Sequence, residues 1–429
     1  MLHLLRAKSE FVLAIGYGFW LFILAAWWLI AHQGTQGISP LFILAGLFSL
    51  PILLKTRPKF TPDALLFLVF LAWCVLSGIW SIQATADWVV IDFENDIYSI
   101  EATALRLVTA AGPIAFGYWA LHHLSERAYG RAIWFARFGL GIQMLLMFGW
   151  IVYWKAFLDY GQAQTSSAGD LQQNLIRIVN LTVVMAPAFV ALLPLKSLWQ
   201  RALAYALLFA GLFVLARKPD IDTEAALLAL AAISVTLVLA QIFGRKLFSW
   251  FAYATAALTV LMPAFLYGLL QVVDPKTAGV SLSAQSRLDG YAYLLNKIFE
   301  KPFLGWGVRA SASWTETRMM NVPGVGEVEF PIVAGHPHNY AMELWAETGL
   351  VGVLLAAIAI ILLGRRLSKT SNTRPEIVSA SLSLWTGALV LMMVSYSVWN
   401  DAFWAGIAFT ASIILAISKR NPAPVGKTA

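Results

Sequence analysis

Long, nearly uncharged apolar runs recur along the whole of this 429-residue chain, and no other feature limits its possible folds so strongly. A run of about 20 residues crosses a hydrocarbon core as a helix, whereas a barrel strand needs about half that length and alternates polar with apolar. Within lipid a helix satisfies its own backbone N–H and C=O groups, which a lone strand cannot do. The runs here are too long and too uniform for strands, so the chain reads as an all-α, polytopic integral membrane protein. Composition agrees, with 59% hydrophobic and 12% charged residues and a mean hydropathy of +0.72, outside the soluble range.

Twelve spans are expected, at 11–31, 40–54, 64–81, 101–122, 133–154, 173–195, 202–216, 225–243, 247–270, 338–363, 378–398 and 402–418. The first follows a basic start but lacks a small-residue cleavage pattern, so it reads as a retained span. Pro51 interrupts the second and makes it the weakest. Lys and Arg gather in the segments 6–8, 55–59, 127–131, 196–201, 245–246, 365–374 and 419–427, which all fall on one side. By the positive-inside rule that side is cytoplasmic, with both termini on it. The net charge of +7 is thereby explained by topology, and nucleic acid is not called for. Cys74, the single cysteine, lies within a span and forms no intramolecular disulfide.

This layout divides the chain into spans one to nine (1–270), an external loop (271–337), spans ten to twelve (338–418) and a flexible tail (419–429). The loop between spans nine and ten is far longer than ordinary connections, and its DGYAYLLNKIFEKPFLGWGV stretch has near-helical spacing, which predicts a packed subdomain. A second external stretch, 86–101, carries Asp87, Asp92, Glu94 and Asp96 among aromatics. It reads as a solvated run, with a divalent cation as the alternative.

The chain has six histidines, and GHPHN at 335–339 holds two of them one residue apart at the expected external mouth of span ten. Asn339 is placed to cap that helix. The macrodipole there disfavours imidazolium, and a neutral ring is what a general base requires. The alternative is a polar helix start anchored by Tyr340 and Trp345. No partner at ligand spacing supports a metal on His336 and His338.

Charged groups near the external ends of spans cost about 2.5–3.5 kcal/mol if placed centrally in lipid, so they seek a cavity, a partner or the headgroups. Arg106 and Arg177 are such groups. Arg217 and Lys218 end span seven, and Arg287 and Arg309 lie in the loop. Together they could form a cationic, outward-facing pocket, against snorkelling for Arg177 and Arg217 and simple solvation for Arg309. Glu343 and Glu347, four apart on one face of span ten, are candidates for pairing with an arginine. No Walker motif is present, so ATP hydrolysis is not indicated, and Gly305 and Gly307 lack the context of a nucleotide loop.

The order Ser286-Arg287, Pro302-x-x-Gly305-x-Gly307, His338-Asn339 and Glu347-x-Gly349-Leu350-x-Gly352 resembles that of the O-antigen ligase and polysaccharide polymerase superfamily of bacterial inner membranes. Residues 205–365 carry the resemblance. It implies a GT-C-like glycosyltransferase without cofactor or metal. Such an enzyme takes a glycan from undecaprenyl diphosphate and transfers it to a sugar hydroxyl, that of lipid A-core for a ligase or of another carrier-linked repeat for a polymerase. The site would face the periplasm.

The resemblance assigns His338 as general base or acceptor-orienting group. Arg217, Arg287, Arg177, Lys218, Arg309 and His336 fall to the substrate, and Asn339, Glu347, Glu343 and Arg106 to support. The family's arginine at the end of span seven follows a serine, and here Ala216-Arg217-Lys218-Pro219 departs from that pattern. A transporter of carrier lipid and a structural assembly protein are the readings outside catalysis. Neither needs a histidine beside a large external loop.

Overall fold

The computed structural model describes residues 15–29, 38–56, 60–81, 90–92, 97–99, 107–108, 110–111, 114–115, 118, 121–123, 125–164, 168–219, 221, 223–273, 282–322, 326–333, 335–370 and 374–420. Helices dominate them. In chain order these are α1 (Ile15–Leu29), α2 (Ile38–Thr56), α3 (Pro62–Ser77), α4 (Glu126–Val152), α5 (Trp154–Gln164), α6 (Ala168–Leu192) and α7 (Leu198–Ala216), then α8 (Glu224–Phe243), α9 (Leu247–Val272), α10 (Leu282–Glu300), α11 (Tyr340–Lys369), α12 (Pro375–Val394) and α13 (Asp401–Lys419). Two antiparallel hairpins complete them, β1 (Val90–Asp92) with β2 (Ile97–Ser99) and β3 (Thr317–Val322) with β4 (Gly326–Pro331).

Among the described residues seven helical stretches are long and apolar enough to cross a membrane, fewer than the twelve spans expected. One of them, Glu224–Val272, is 49 residues long and is itself divided by a turn at Gly244–Lys246 into α8 and α9. At 1.5 Å per residue each half reaches about 30 Å or more. α1 and α3 are apolar but shorter, α2 runs on through position 51, and most of 101–122 lies outside the described residues. The protein is a helical membrane protein with very little sheet.

Side-chain oxygens start several helices by accepting N–H groups of the first turn, as unsatisfied helix ends require. Ser197 and Gln200 form a reciprocal capping box on α7, and Thr223, Asn339 and Asn400 cap α8, α11 and α13. The interior has two main apolar clusters. In the larger, Trp27, Phe42, Leu140, Met185, Leu212, Ile233, Leu391 and Phe409 bring α1, α2, α4, α6, α7, α8, α12 and α13 together, with α6 buried along most of its length.

The second cluster positions the site. Phe70 and Cys74 of α3, Met262 and Leu266 of α9 and Leu294 and Ile298 of α10 pack with Val308 and Trp314 around Ala341–Val353 of α11. The chain between α9 and α11 thus shares one core with the helices it connects. The β3–β4 hairpin is held to α10 by Arg318, which pairs with Asp289 at 2.6 Å and donates to the Ser286 carbonyl at 3.2 Å. The near-helical spacing of the 289–300 stretch corresponds to most of α10, whereas α5 and both hairpins are not legible from periodicity.

Candidate functional site

Helix α11 is broken at Gly349, whose φ of 63° and ψ of −171° are far from helical. A break strips the flanking carbonyls and N–H groups of their partners, and buried ones must be satisfied elsewhere. The segment 302–307 does this. Trp306 and Gly307 donate to the carbonyls of Ala346 and Glu347 at 2.9 and 2.8 Å, and Leu350 and Val351 donate to those of Pro302 and Phe303 at 2.8 and 3.3 Å.

Backbone lies so close to backbone that no Cβ fits. One on Gly305 would come within 2.5 Å of the Glu347 carbonyl, and one on Gly349 within 2.3 Å of the Phe303 oxygen. Gly305, with φ of 69°, also occupies the left-handed region. The Pro-x-x-Gly-x-Gly and Glu-x-Gly-Leu-x-Gly patterns are therefore two halves of one joint.

The joint aims Glu347 into a ring of donors. Its carboxylate accepts from the N–H of Arg309 (2.6 Å), the N–H and hydroxyl of Ser311 (3.1 and 2.5 Å) and the indole of Trp399 (2.5 Å). One turn earlier Glu343 accepts from the Ser397 hydroxyl at 2.6 Å and the Val398 N–H at 2.8 Å. Both side chains are buried, so these bonds replace the water they lost. The expected pairing with an arginine takes another form, since Arg309 meets Glu347 through its backbone N–H.

Arg309 and His338, with φ of 62° and 53°, are the two described non-glycine residues in the left-handed region. Such conformations cost on the order of 1–3 kcal/mol each and persist where surroundings impose them, often at functional sites. Here Arg309 donates to the buried Glu347, and His338 precedes the helix that carries both carboxylates.

The His336 and His338 rings lie tilted by 51° with centroids 4.0 Å apart, and the His338 N–H donates to Nδ1 of His336 at 3.2 Å. That bond assigns the His336 proton to Nε2. Burial, then the neighbouring His338 ring and Arg287, push the His336 pKa down to about 3. Burial and Arg287 also hold His338 below its usual value, opposed by a hydrogen bond to the Ser395 backbone. Both rings are neutral at pH 7, with burial the first cause and the nearby Arg287 guanidinium adding to it. Nδ1 of His338 is buried without a hydrogen-bond partner among the described residues.

Beside these groups lies a cavity of about 570 Å³. Its apolar wall comes from α3, α13 and the residues Leu107, Ala110, Ile114 and Tyr118, for example with Phe67 and Ile407, and its polar end from Arg309, Ser311, His336, Glu343, Glu347 and Asp401. His336 lines it, and His338 is coupled to it through His336. Arg287, on α10, acts electrostatically on both rings.

The other expected cations are less closely gathered. Arg177 donates to Asn174 at 3.4 Å and lies near Tyr396, next in chain to Ser395. Arg217 ends α7 and donates its N–H to Phe213. Lys218 is turned to the Ile151 carbonyl at 3.5 Å and sits 5.7 Å from the Trp154 ring centre. Arg106 lies outside the described residues, as do Asp87, Glu94 and Asp96.

Sequence reasoning missed the short connection 395–400, whose Ser395, Ser397, Val398 and Trp399 bind His338, Glu343 and Glu347 in turn. Its density of Ser, Trp and Asn between two apolar runs was the available signal. Among the described residues no three His, Cys, Asp or Glu side chains gather at metal-holding distance.

An amphipathic cavity ending in buried carboxylates and a water-excluded imidazole, all within a helical membrane bundle, is a setting for chemistry on the polar end of a lipid-like molecule. The family model described as O-antigen ligase matches residues 208–357, which include α8, α9, the 302–307 joint, both histidines and the first half of α11. A protein of Rickettsia typhi designated a candidate polysaccharide ligase is 23% identical over 398 residues, 85% of each chain. Another of Rickettsia felis, similarly designated, is 26% identical over 222 residues, 50% of this chain and about half (51%) of the relative's length. No solved structure matches the chain. The resemblance read from the motifs is thus established for the segment that holds the joint, and it supports a ligase-type, glycosyl-transferring function.

Proposed function

We propose that the protein transfers a glycan from undecaprenyl diphosphate to a sugar hydroxyl, such as one on lipid A-core, at the periplasmic face of a bacterial inner membrane. The observation that carries this is the cavity, whose apolar wall suits a polyprenyl chain and whose polar end meets Arg309 and the neutral histidine pair. The acceptor hydroxyl attacks the anomeric carbon, the bond from that carbon to phosphate oxygen breaks, and the diphosphate lipid leaves with the electron pair. The base that takes the hydroxyl proton is His338, held against the cavity by His336. Attack opposite the diphosphate inverts the anomeric centre.

Arg309 and Arg287 are the guanidinium groups best placed to hold the diphosphate as its charge grows, because a planar fork binds phosphate oxygens in pairs. His336, with its proton on Nε2, is a candidate donor to the phosphate end of the carrier. Arg177 and Arg217, which do not line the cavity, are candidate contacts for the incoming headgroup. Lys218, occupied by Trp154 and the Ile151 carbonyl, is left out of this set. Glu343 and Glu347 hold the strained segments that carry Arg309 and the 395–400 turn.

The test incubates purified protein with a carrier-linked oligosaccharide, with and without lipid A-core, and reads products by mass. A product containing donor glycan and acceptor core supports the proposal. Lengthened carrier-linked chains without core would make the protein a polymerase, and carrier movement across vesicles without any new glycosidic bond would make it a transporter.

A further inference from the structure

A second cavity, of about 780 Å³, lies at the opposite end of the bundle. It contains Arg374 and Glu376 at the start of α12 and Ile417 and Arg420 at the end of α13. The candidate site uses the other ends of the same two helices, so about 30 Å, the length of the 20-residue α12, separates them.

Four guanidinium groups, of Arg137, Arg201, Arg374 and Arg420, face one carboxylate, that of Glu376. Glu376 is taken by Arg201 at 3.5 Å and Arg374 at 3.6 Å. Arg137 uses Nε to reach the Leu192 carbonyl at 2.7 Å, which leaves the outer nitrogens of its fork, and Arg420 is near enough for its charge to act on Arg137. Among the described residues no carboxylate pairs with either of these two. Two like charges thus stand together beside a stretch of apolar wall that includes Leu198, Leu237 and Val238.

We infer that this cavity binds an anionic phospholipid of the leaflet opposite the candidate site, with its phosphate between Arg137 and Arg420 and an acyl chain along the apolar wall. A phosphate supplies the missing counter-charge in a geometry that guanidinium forks favour. A soluble anion would leave the apolar wall uncovered, whereas an acyl chain removes it from water. The cavity would then fix the bundle to the charged leaflet, independently of any chemistry at the other end.

Native mass spectrometry of the full-length protein in detergent, titrated with phosphatidylglycerol or phosphatidylcholine, tests this. Wild type retains phosphatidylglycerol at least about 10-fold more tightly than phosphatidylcholine, and the double variant Arg137→Gln/Arg420→Gln loses about 10-fold in phosphatidylglycerol affinity, the loss expected for about 1.4 kcal/mol. Arg420→Gln alone, an exposed change at a helix end, gives a partial loss without threatening the fold. Equal retention of the two lipids, unchanged affinity in both variants, or displacement of the lipid by inorganic phosphate at equal concentration would overturn the inference.

Discussion

The two halves of α11 have the same helical backbone and opposite surroundings. From Tyr340 to Thr348 the helix is buried and carries Glu343 and Glu347, with the strained His338 just before it. From Leu350 to Lys369 it is an ordinary apolar span that turns Leu354 and Ile358 outward and ends in an ion pair between Arg366 and Asp63 at 2.8 Å. Gly349 divides them. The contrast shows how a membrane helix accommodates a polar site: the break frees backbone groups for a loop, and the loop returns donors for the carboxylates. Charge that would be costly in lipid is placed where protein donors surround it.

The contrast can be broken at its hinge. Gly349→Ala pushes a methyl against the Phe303 carbonyl and forces a residue with a side chain into a left-handed conformation. It should cost roughly 3 kcal/mol or more, combining overpacking with backbone strain, and thermal unfolding of the purified protein should show it. Leu354→Ala, in the second half and 42% exposed, should change stability by less than about 0.5 kcal/mol. Equal effects of the two would mean that the break is not a structural joint.

Glu347→Gln keeps the shape but puts an amide where four donors converge. A loss of about 1–3 kcal/mol in stability is expected, and transfer should fall with it as the Arg309 and Ser311 segment loosens. Retained stability with retained transfer would show that the ring of donors is incidental.

Smaller still is the effect of Arg287→Gln, which is best read as a pH profile. With folded pKa values below 6.5, neutral imidazole persists in wild type under mildly acid conditions, and activity falls only as pH drops through the folded value. Removing the guanidinium raises that value, so the acid limb moves toward 6.5. A limb that stays in place would separate Arg287 from the rings. By linkage the same burial makes wild type less stable as pH falls from about 6.5 toward about 3, because the unfolded chain takes up protons that the folded rings refuse.

Smallest in its effect on transfer is Arg366→Ala at the far end of α11. Arg366 is half exposed, but its loss leaves the buried Asp63 carboxylate without its partner, so stability should fall by roughly 1–3 kcal/mol with transfer intact.

Much of this was legible in sequence because hydropathy is local. The α11 start was visible from Asn339, which does cap it, and the histidine pair was found by its spacing. The motif residues Gly305, Gly307, Gly349 and Gly352 were recognised as a set. Their mutual hydrogen bonds were not, because partners some 40 residues apart leave no periodic trace in either segment. The 395–400 turn escaped for a related reason: Ser397 and Trp399 become site residues only through their contact with Glu343 and Glu347 in three dimensions. Burial of the histidines, the first cause of their lowered pKa values, was likewise invisible along the chain.

The most direct test of the central claim is the transfer rate of His338→Ala, measured with a carrier-linked oligosaccharide and lipid A-core acceptor, alongside its thermal unfolding. A general base contributes about 10²- to 10⁴-fold, so the account predicts a loss of that size in a protein that still inserts and folds. A variant that transfers glycan at the wild-type rate would contradict it.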